Sequence, residues 1–277
     1  MTLDELTAGL DDLPSLPAVV MELLGSIDQE DADLALLAKK VALDQALTAK
    51  TLRLANSSAL GLQIKVTTIH QALTFLGVQT TRNLILAASI TGCFPDRRCP
   101  AFDHKAFWRL SIATAACARV LARHMHFNQD VAFTAGLLHG IGRLVLVTRY
   151  PEQYDAVLRE CERVDGDLLE TEHAMLGVDH VLAGRALAEH WQFSDTLRQA
   201  IAFYGQPEMP GAGFLATIVH VAKAVAHALD LADYANEVVP TVSSVAWTAL
   251  GLSEEAWLQV FRETELQFEE MTAILLA

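Results

Sequence analysis

Apolar residues recur every three or four positions through most of the chain, and this spacing predicts amphipathic α-helices. Ala and Leu dominate the apolar positions, and runs of β-branched residues are short. That composition favours closely packed helices over sheets. The chain also lacks a strand-turn-strand pattern, so the predicted fold class is all-α, arranged as a two-part helical bundle.

The first hundred residues predict a compact unit of short helices. Ser15, Asp33 and Asp44 stand at N-cap positions before helical runs, and Gly77 separates the runs "TTIHQALTFLG" and "VQTTRNLILAASI". The segment "CFPDRRCP", residues 93–100, is charged and contains two prolines, which is typical of a domain boundary. We therefore expect a small N-terminal helical bundle over residues 1–98.

The helices predicted after residue 100 are longer. Pro151 suits the first turn of "PEQYDAVLRECERV", and "QPEMPGAG" predicts a loop before the amphipathic run "FLATIVHVAKAVAHALDL". The last segments are helical and acidic. We expect a larger helical bundle over residues 99–277, with an acidic helical extension at its end.

Charge is unevenly distributed along the 277 residues. The formal net charge is −14, and residues 206–277 contain ten acidic residues but only two basic ones. Binding to a phosphate backbone requires clustered Lys and Arg, so nucleic acid is not expected as the main partner.

The remaining composition indicates a cytoplasmic protein. No stretch of about 18 uninterrupted apolar residues is present, so no membrane span is expected. The acidic start, "MTLDELTAGLDD", lacks the basic residues that open a secretion signal. The four cysteines show no Cys-x-x-Cys spacing and are typical of inert thiols in a reducing compartment.

Three histidines are the first candidates for chemistry. His139 lies in "AGLLHGIGRLVL", residues 135–146, and His180 and His220 lie on two other apolar helices. If the three imidazoles converge, they could form a mononuclear zinc site with an open position. The alternative is that each is a hydrogen-bonded histidine of the core.

A second candidate is the segment "LAKKVALDQALTAKTLRLANSS", which loosely resembles a helix-turn-helix. Lys50, Arg53 and Asn56 on its second helix could reach base edges in DNA. We favour the simpler interpretation, in which the segment is a helical pair inside the bundle with solvated charges.

Several segments together resemble the HDOD family, the output domain related to the HD phosphohydrolases. In the first part these are "LPSLPAVVMELL", "LDQALTAKTLRLANSSALG" and "TIHQALTFLGV"; in the second they are "FWRLS", "AFTAGLLHGIGRLVL", "DHVLAGRALAEHW" and "IVHVAKAVA". The resemblance covers roughly residues 13–225. One departure is the family's Asp-Pro, which appears here as Asp44-Gln45.

The catalytic HD relatives hydrolyse phosphate esters with metal held by His and Asp residues. Carried over onto this sequence, their ligand positions fall near Leu110, His139, Gly140, His180, Tyr204, Gly205 and Lys223. Imidazoles remain at His139 and His180, but none of these positions holds a carboxylate. The resemblance thus implies a degenerate HD pocket, composed of His139, Gly140, His180, Tyr204, His220 and Lys223. We expect the Lys223 ammonium to repel a divalent cation and to face a nearby acid such as Glu172. The alternative is that the Lys223 side chain extends to solvent.

The resemblance implies a non-enzymatic signalling module linked to a two-component or related pathway, with a protein partner and no cofactor, metal ligand or catalytic residue. No receiver domain is visible, because the alternating strand-helix pattern that it requires is missing. One alternative is a metal-dependent phosphohydrolase or cyclic-nucleotide phosphodiesterase with an unusual ligand set. A second alternative is a DNA-binding regulator.

Overall fold

The computed structural model describes residues 1–10, 13, 16–25, 39, 41–57, 64–94, 99–234 and 239–276. Within these ranges the regular structure is helical and no strand is present, so the all-α prediction is confirmed. The helices are α1 (Leu3–Leu10), α2 (Ala18–Gly25), α3 (Gln45–Ala55), α4 (Ile69–Cys93), α5 (His104–His124), α6 (Gln129–Leu138), α7 (Ile141–Arg149), α8 (Pro151–Val164), α9 (Leu168–Leu176), α10 (His180–His190), α11 (Asp195–Phe203), α12 (Phe214–Ala228), α13 (Ser244–Leu250) and α14 (Glu254–Leu275).

The local signals in the sequence account for several helix boundaries. The Asp44 side chain caps α3 by accepting a hydrogen bond of 2.9 Å from the backbone N–H of Leu47. Gly77 has a φ of +77° and kinks α4 between the two predicted runs, a conformation that glycine adopts without steric cost. Pro151 occupies the first turn of α8, as predicted. The predicted caps Ser15 and Asp33 lie outside the described residues.

Helix α5 is the central element of the larger bundle, since it packs against α6, α12 and α14. Small residues allow its neighbours to approach closely. A Cβ atom added at Gly136 of α6 would lie only 2.7 Å from the Cα of Ala115 in α5. Close approach of this kind brings the end of α6 into the interior of the bundle.

The crossing of α7 and α10 is tighter still. A Cβ atom at Gly142 would lie 1.9 Å from the backbone oxygen of His180 and 2.4 Å from the backbone nitrogen of Gly184. Only a residue without a side chain fits between the two backbones. This contact fixes the first residue of α10 beside the junction between α6 and α7.

The described core continues across the predicted boundary at residues 93–100. The Phe94 ring lies 5.9 Å from that of Trp191, and α14 contacts α3. Helix α1 packs against α10, and the Met1 oxygen lies 2.9 Å from the position a Cβ at Gly177 would take. The buried hydrophobic residues form one cluster. The division into residues 1–98 and 99–277 stays a prediction.

One apolar run in the described residues, Gln129–Arg149, is long and hydrophobic enough to cross a membrane by length and composition. Its most apolar window is 94% buried inside the bundle, and the run is divided between α6 and α7. A core helix of this composition meets the same criterion, and here the run supplies the interior of the fold.

The helix-turn-helix candidate has a structural role at Asn56. The Asn56 amide nitrogen donates to the backbone oxygens of Leu52 and Val66 at 2.7 Å, and its amide oxygen accepts from the Val66 N–H at 2.8 Å. These bonds occupy the amide that would have to read a base edge. Lys50 and Arg53 are exposed.

We predict that Gly142→Ala lowers the free energy of unfolding by more than about 2 kcal/mol, because α7 and α10 must separate to admit the methyl group. Urea unfolding followed by circular dichroism measures the change. Gly205→Ala is the control, since its Cβ would lie an ordinary 3.9 Å from the nearest atom, in Leu169. Equal stabilities of the two variants would contradict the close contact.

Candidate functional site

The candidate site begins at the junction between α6 and α7. His139 follows the last residue of α6 with helical backbone angles, and its side chain is buried. Its Nδ1–H donates to the Gly136 oxygen at 2.7 Å, which fixes the orientation of the ring. Gly140 follows, and a Cβ there would press against the Phe107 ring at 3.3 Å.

His180, the first residue of α10, is held by a buried carboxylate. Its backbone N–H and its Nδ1–H both donate to Oε2 of Glu172, at 2.8 Å and 2.6 Å. Glu172 lies on α9 and is completely buried. The short turn between α9 and α10 places the carboxylate at the first turn of α10, where it accepts the free N–H of His180.

Tyr204 lies at the centre of the site. Its hydroxyl is 2.8 Å from Nε2 of His180, so in the neutral imidazole this hydroxyl donates to Nε2. The rings of His139 and Tyr204 are in edge-to-face contact, with their centroids 5.0 Å apart. The Lys223 ammonium lies 5.4 Å from the Tyr204 ring centroid, within the range of a cation–π contact.

The other oxygen of Glu172 leads to an arginine. Tyr154 donates from its hydroxyl to Oε1 of Glu172 at 2.7 Å, and this hydroxyl accepts from Nε of Arg143 at 3.3 Å. Nη1 of Arg143 lies 3.5 Å from the Tyr234 hydroxyl. A buried hydrogen-bonded chain therefore runs from Tyr204 through His180, Glu172 and Tyr154 to Arg143.

The electrostatics of the chain follow from burial and pairing. Burial raises the pKa of the Glu172 carboxyl, but the contacts with His180 outweigh that effect, and the pKa lies below its ordinary value. Burial lowers the pKa of Lys223 to about 8, and repulsion from Arg143 adds to the shift. Burial, reinforced by Lys223, lowers the pKa of His139 to about 3, so this imidazole is neutral at neutral pH.

His220 does not join the others. Its Nδ1–H donates to the Tyr204 backbone oxygen at 2.8 Å, and its Nε2 accepts from the Ser243 N–H at 3.0 Å. Both ring nitrogens of His220 thus hold the backbone around the site. This agrees with the alternative in which the residue is a hydrogen-bonded histidine and not a metal ligand.

Lys223 and Glu172 form no hydrogen bond or ion pair with each other, although the Glu172 charge acts on Lys223. The Glu172 carboxylate accepts hydrogen bonds from His180 and Tyr154, which lie on the helices that precede and follow α9. Lys223 instead packs over the Tyr204 ring and is partly buried. It influences Glu172 only through space.

The residues of the site do not fit a divalent metal. Both ring nitrogens of His180 and of His220 are engaged in hydrogen bonds, and the Glu172 carboxylate is spent on His180 and Tyr154. Across the described ranges, no group of three or more His, Cys, Asp or Glu residues is placed to hold a cation. The predicted first ligand position, Leu110, is a buried apolar residue of α5.

Sequence reasoning missed Arg143, Tyr154 and His227. Arg143 is the only charged residue in "IGRLVLV", and a lone cation in an apolar run could have marked it. Tyr154 gives no such signal. His227 lies one helical turn beyond Lys223, and burial together with Lys223 lowers its pKa to about 3.

A family model for the HDOD domain matches residues 13–207. The chain belongs to the HDOD family. The match contains His139, His180 and Tyr204 but ends before α12, so Lys223 and His220 come from the helix that follows the matched segment.

Solved structures share the HDOD fold over nearly the whole chain. A Shewanella amazonensis protein whose name proposes a phosphohydrolase is 29% identical, covers 98% of this chain and 97% of its own, and has a TM-score of 0.74. The MmoQ response regulator of Methylococcus capsulatus is 28% identical, with coverage of 91% and 99% and a TM-score of 0.51.

Among curated proteins, the cyclic di-GMP phosphodiesterase CdgJ of Vibrio cholerae is 28% identical over 174 residues, which cover 58% of this chain. The chain spans 38% of the length of the curated relatives that it matches. The activity in the name of CdgJ therefore belongs to a considerably longer protein.

We predict that Glu172→Gln lowers the free energy of unfolding by about 2–4 kcal/mol, because a neutral amide weakens the contacts with His180 and Tyr154. Chemical denaturation measures the loss. Glu170→Gln, an exposed change on the same helix, should stay within about 0.5 kcal/mol of the parent. A fully stable Glu172→Gln protein would show that the carboxylate does not hold the site.

Stability should fall as the pH decreases from about 6.5 towards 3. The His139 pKa is about 3 in the folded protein but about 6.5 when unfolded, so in this interval only the unfolded state takes up the proton. Each such group contributes up to about 1.4 kcal/mol per pH unit.

Urea unfolding at a series of pH values measures this slope. His139→Gln should flatten it, whereas His173→Gln, which changes an exposed histidine of α9, should leave it unchanged. An unaltered slope in the His139 variant would refute the assignment.

Proposed function

We propose that this HDOD chain is a non-enzymatic, cytoplasmic signalling module that acts by binding a protein partner or a ligand, with a degenerate HD site. The observation that carries the proposal is the use of Glu172. This carboxylate is bound to His180 and Tyr154, and Lys223 stands at the position where the resemblance to the HD enzymes implies an Asp ligand.

The similarity to a response regulator supports a place in signal transduction. MmoQ carries that description, and its solved structure covers 91% of this chain at 28% sequence identity. The proposal extends only the general role, a regulatory output that works through contacts, to this chain.

Metal-dependent phosphodiester hydrolysis is the second candidate, because the names of two relatives point to it. Such activity would require His139 and His180 to exchange their present hydrogen bonds for metal coordination. The donors available for that exchange lack a carboxylate free of other partners.

The experiment is an assay of the whole chain, purified without chelator, against bis(4-nitrophenyl) phosphate and cyclic di-GMP with added manganese or iron(II). We expect no turnover above the rate without protein and no stoichiometric metal by elemental analysis, since the donor set does not fit a cation.

Metal-dependent turnover that disappears in His139→Ala but persists in His173→Ala would overturn the proposal in favour of the enzyme. His173 is a suitable control because it is exposed on α9 and lies outside the hydrogen-bonded chain.

A further inference from the structure

The outer face of α14 carries large apolar side chains that remain exposed. Leu258 is 63% exposed and Leu266 is 53% exposed, whereas the inner face of the helix, from Trp257 to Ile274, is buried in the bundle. Leu258, Arg262 and Leu266 follow one another at four-residue spacing, so they form one row about 12 Å long on the helix surface. A second helix packed alongside α14 would cover such a row.

A cleft of about 670 Å³ adjoins the end of this row. It lies between the outer face of α14, the first two turns of α5 and the residues that follow α12, and Leu266 is part of its lining. The buried Phe268 ring also lines it. The Arg109 guanidinium lies 5.0 Å from the centroid of that ring, and its Nε donates to the Ala232 oxygen at 3.3 Å. These contacts fix the wall of the cleft, so it is formed before any partner binds.

Acidic side chains surround the row and the cleft. Helix α14 contains six glutamates and one arginine, and Glu263 is paired with Arg123. The other five glutamates are exposed and form no ion pair with any residue in the described ranges. They are Glu254, Glu255, Glu265, Glu269 and Glu270. The lining of the cleft contains three carboxylates and two guanidiniums, one of which is that of Arg109. The exposed surface is therefore both apolar and net negative.

These charges decide which occupant the surface fits. Nucleic acid and anionic lipid head groups carry phosphate, so the surface repels them. A second copy that presented the same face would place the glutamates of two α14 helices against each other. Lys and Arg side chains complement the free carboxylates, and apolar residues at helical spacing complement the two leucines.

We propose that the outer face of α14 and the adjacent cleft bind an amphipathic helix of a partner protein, with Lys or Arg on its polar side. The apolar side of that helix covers Leu258 and Leu266, and one of its cationic side chains enters the cleft beside Asp230, Glu265 and Glu269. This surface rests on the proposed function, in which the chain acts through contact with a partner.

Two labelled peptides test the proposal by fluorescence anisotropy with the whole chain. Each is about 18 residues long, or five helical turns, with leucines at helical spacing; the polar positions are lysine in one and glutamate in the other. We expect saturable binding of the lysine peptide and none of the glutamate peptide. Leu266→Ala should weaken binding about tenfold, because it truncates a central anchor. Leu43→Ala trims an exposed leucine outside the surface and should bind as the parent does.

The contribution of charge is tested with matched double variants. Glu265→Gln with Glu269→Gln should weaken binding about fivefold or more. Glu152→Gln with Glu170→Gln changes the net charge by the same amount on exposed positions away from α14 and should have no effect. Carbodiimide should join lysines of the bound peptide to Glu265 or Glu269, as read by mass spectrometry. Circular dichroism confirms that every variant is folded.

The proposal is overturned if the lysine peptide does not bind saturably, or if Leu266→Ala or the Glu265 and Glu269 double variant binds as tightly as its control. It is also overturned if the chain alone sediments as a dimer that Leu266→Ala dissociates, since that result assigns the face to a second copy. These failures leave the proposed function standing, because the turnover assay tests it separately. Metal-dependent turnover together with Leu266-dependent peptide binding would overturn the proposed function and preserve the surface.

Discussion

The structure of the site depends on one buried carboxylate. Glu172 is completely enclosed, and burial by itself would favour its neutral form. Its contacts with His180 and Tyr154 keep it ionised, and in doing so they join α8, α9 and α10. A carboxylate bound in this way is part of the scaffold and is no longer available to a metal ion.

The remaining chemistry of the site follows from these contacts of Glu172. With its central acid engaged, the site also contains the partly buried cations Lys223 and Arg143 and the buried, neutral His139. The HDOD chain thus shares a helical frame with a protein whose name proposes a phosphohydrolase, while the carboxylate of its own site is bound to protein groups.

Much of the fold could be predicted from the sequence because helices are specified locally. The spacing of apolar residues, the cap at Asp44 and the kink at Gly77 all involve residues within a few positions of each other. The convergence of His139, His180, Tyr204 and Lys223 was predictable only through the resemblance, since it depends on which faces of distant helices meet.

The contacts of the site that sequence reasoning missed also join residues on separate helices. Nothing near Tyr154 in the sequence shows that its hydroxyl joins Glu172 to Arg143, because the three residues lie on separate helices. The hydrogen-bond partners of Glu172 could not be predicted from the sequence for a related reason. Opposite charge suggested Lys223 as the group that faces Glu172. The turn between α9 and α10 instead places the backbone N–H and the imidazole of His180 against the carboxylate.

The packing of α1 has a practical consequence. The backbone at Met1 lies against Gly177, whose φ of +79° ends α9 only a few residues after Glu172 and before His180. Any sequence fused ahead of Met1 would emerge directly over this turn and could displace the peptide that orients the imidazole. Affinity tags and fluorescent reporters for this chain are therefore better attached beyond α14.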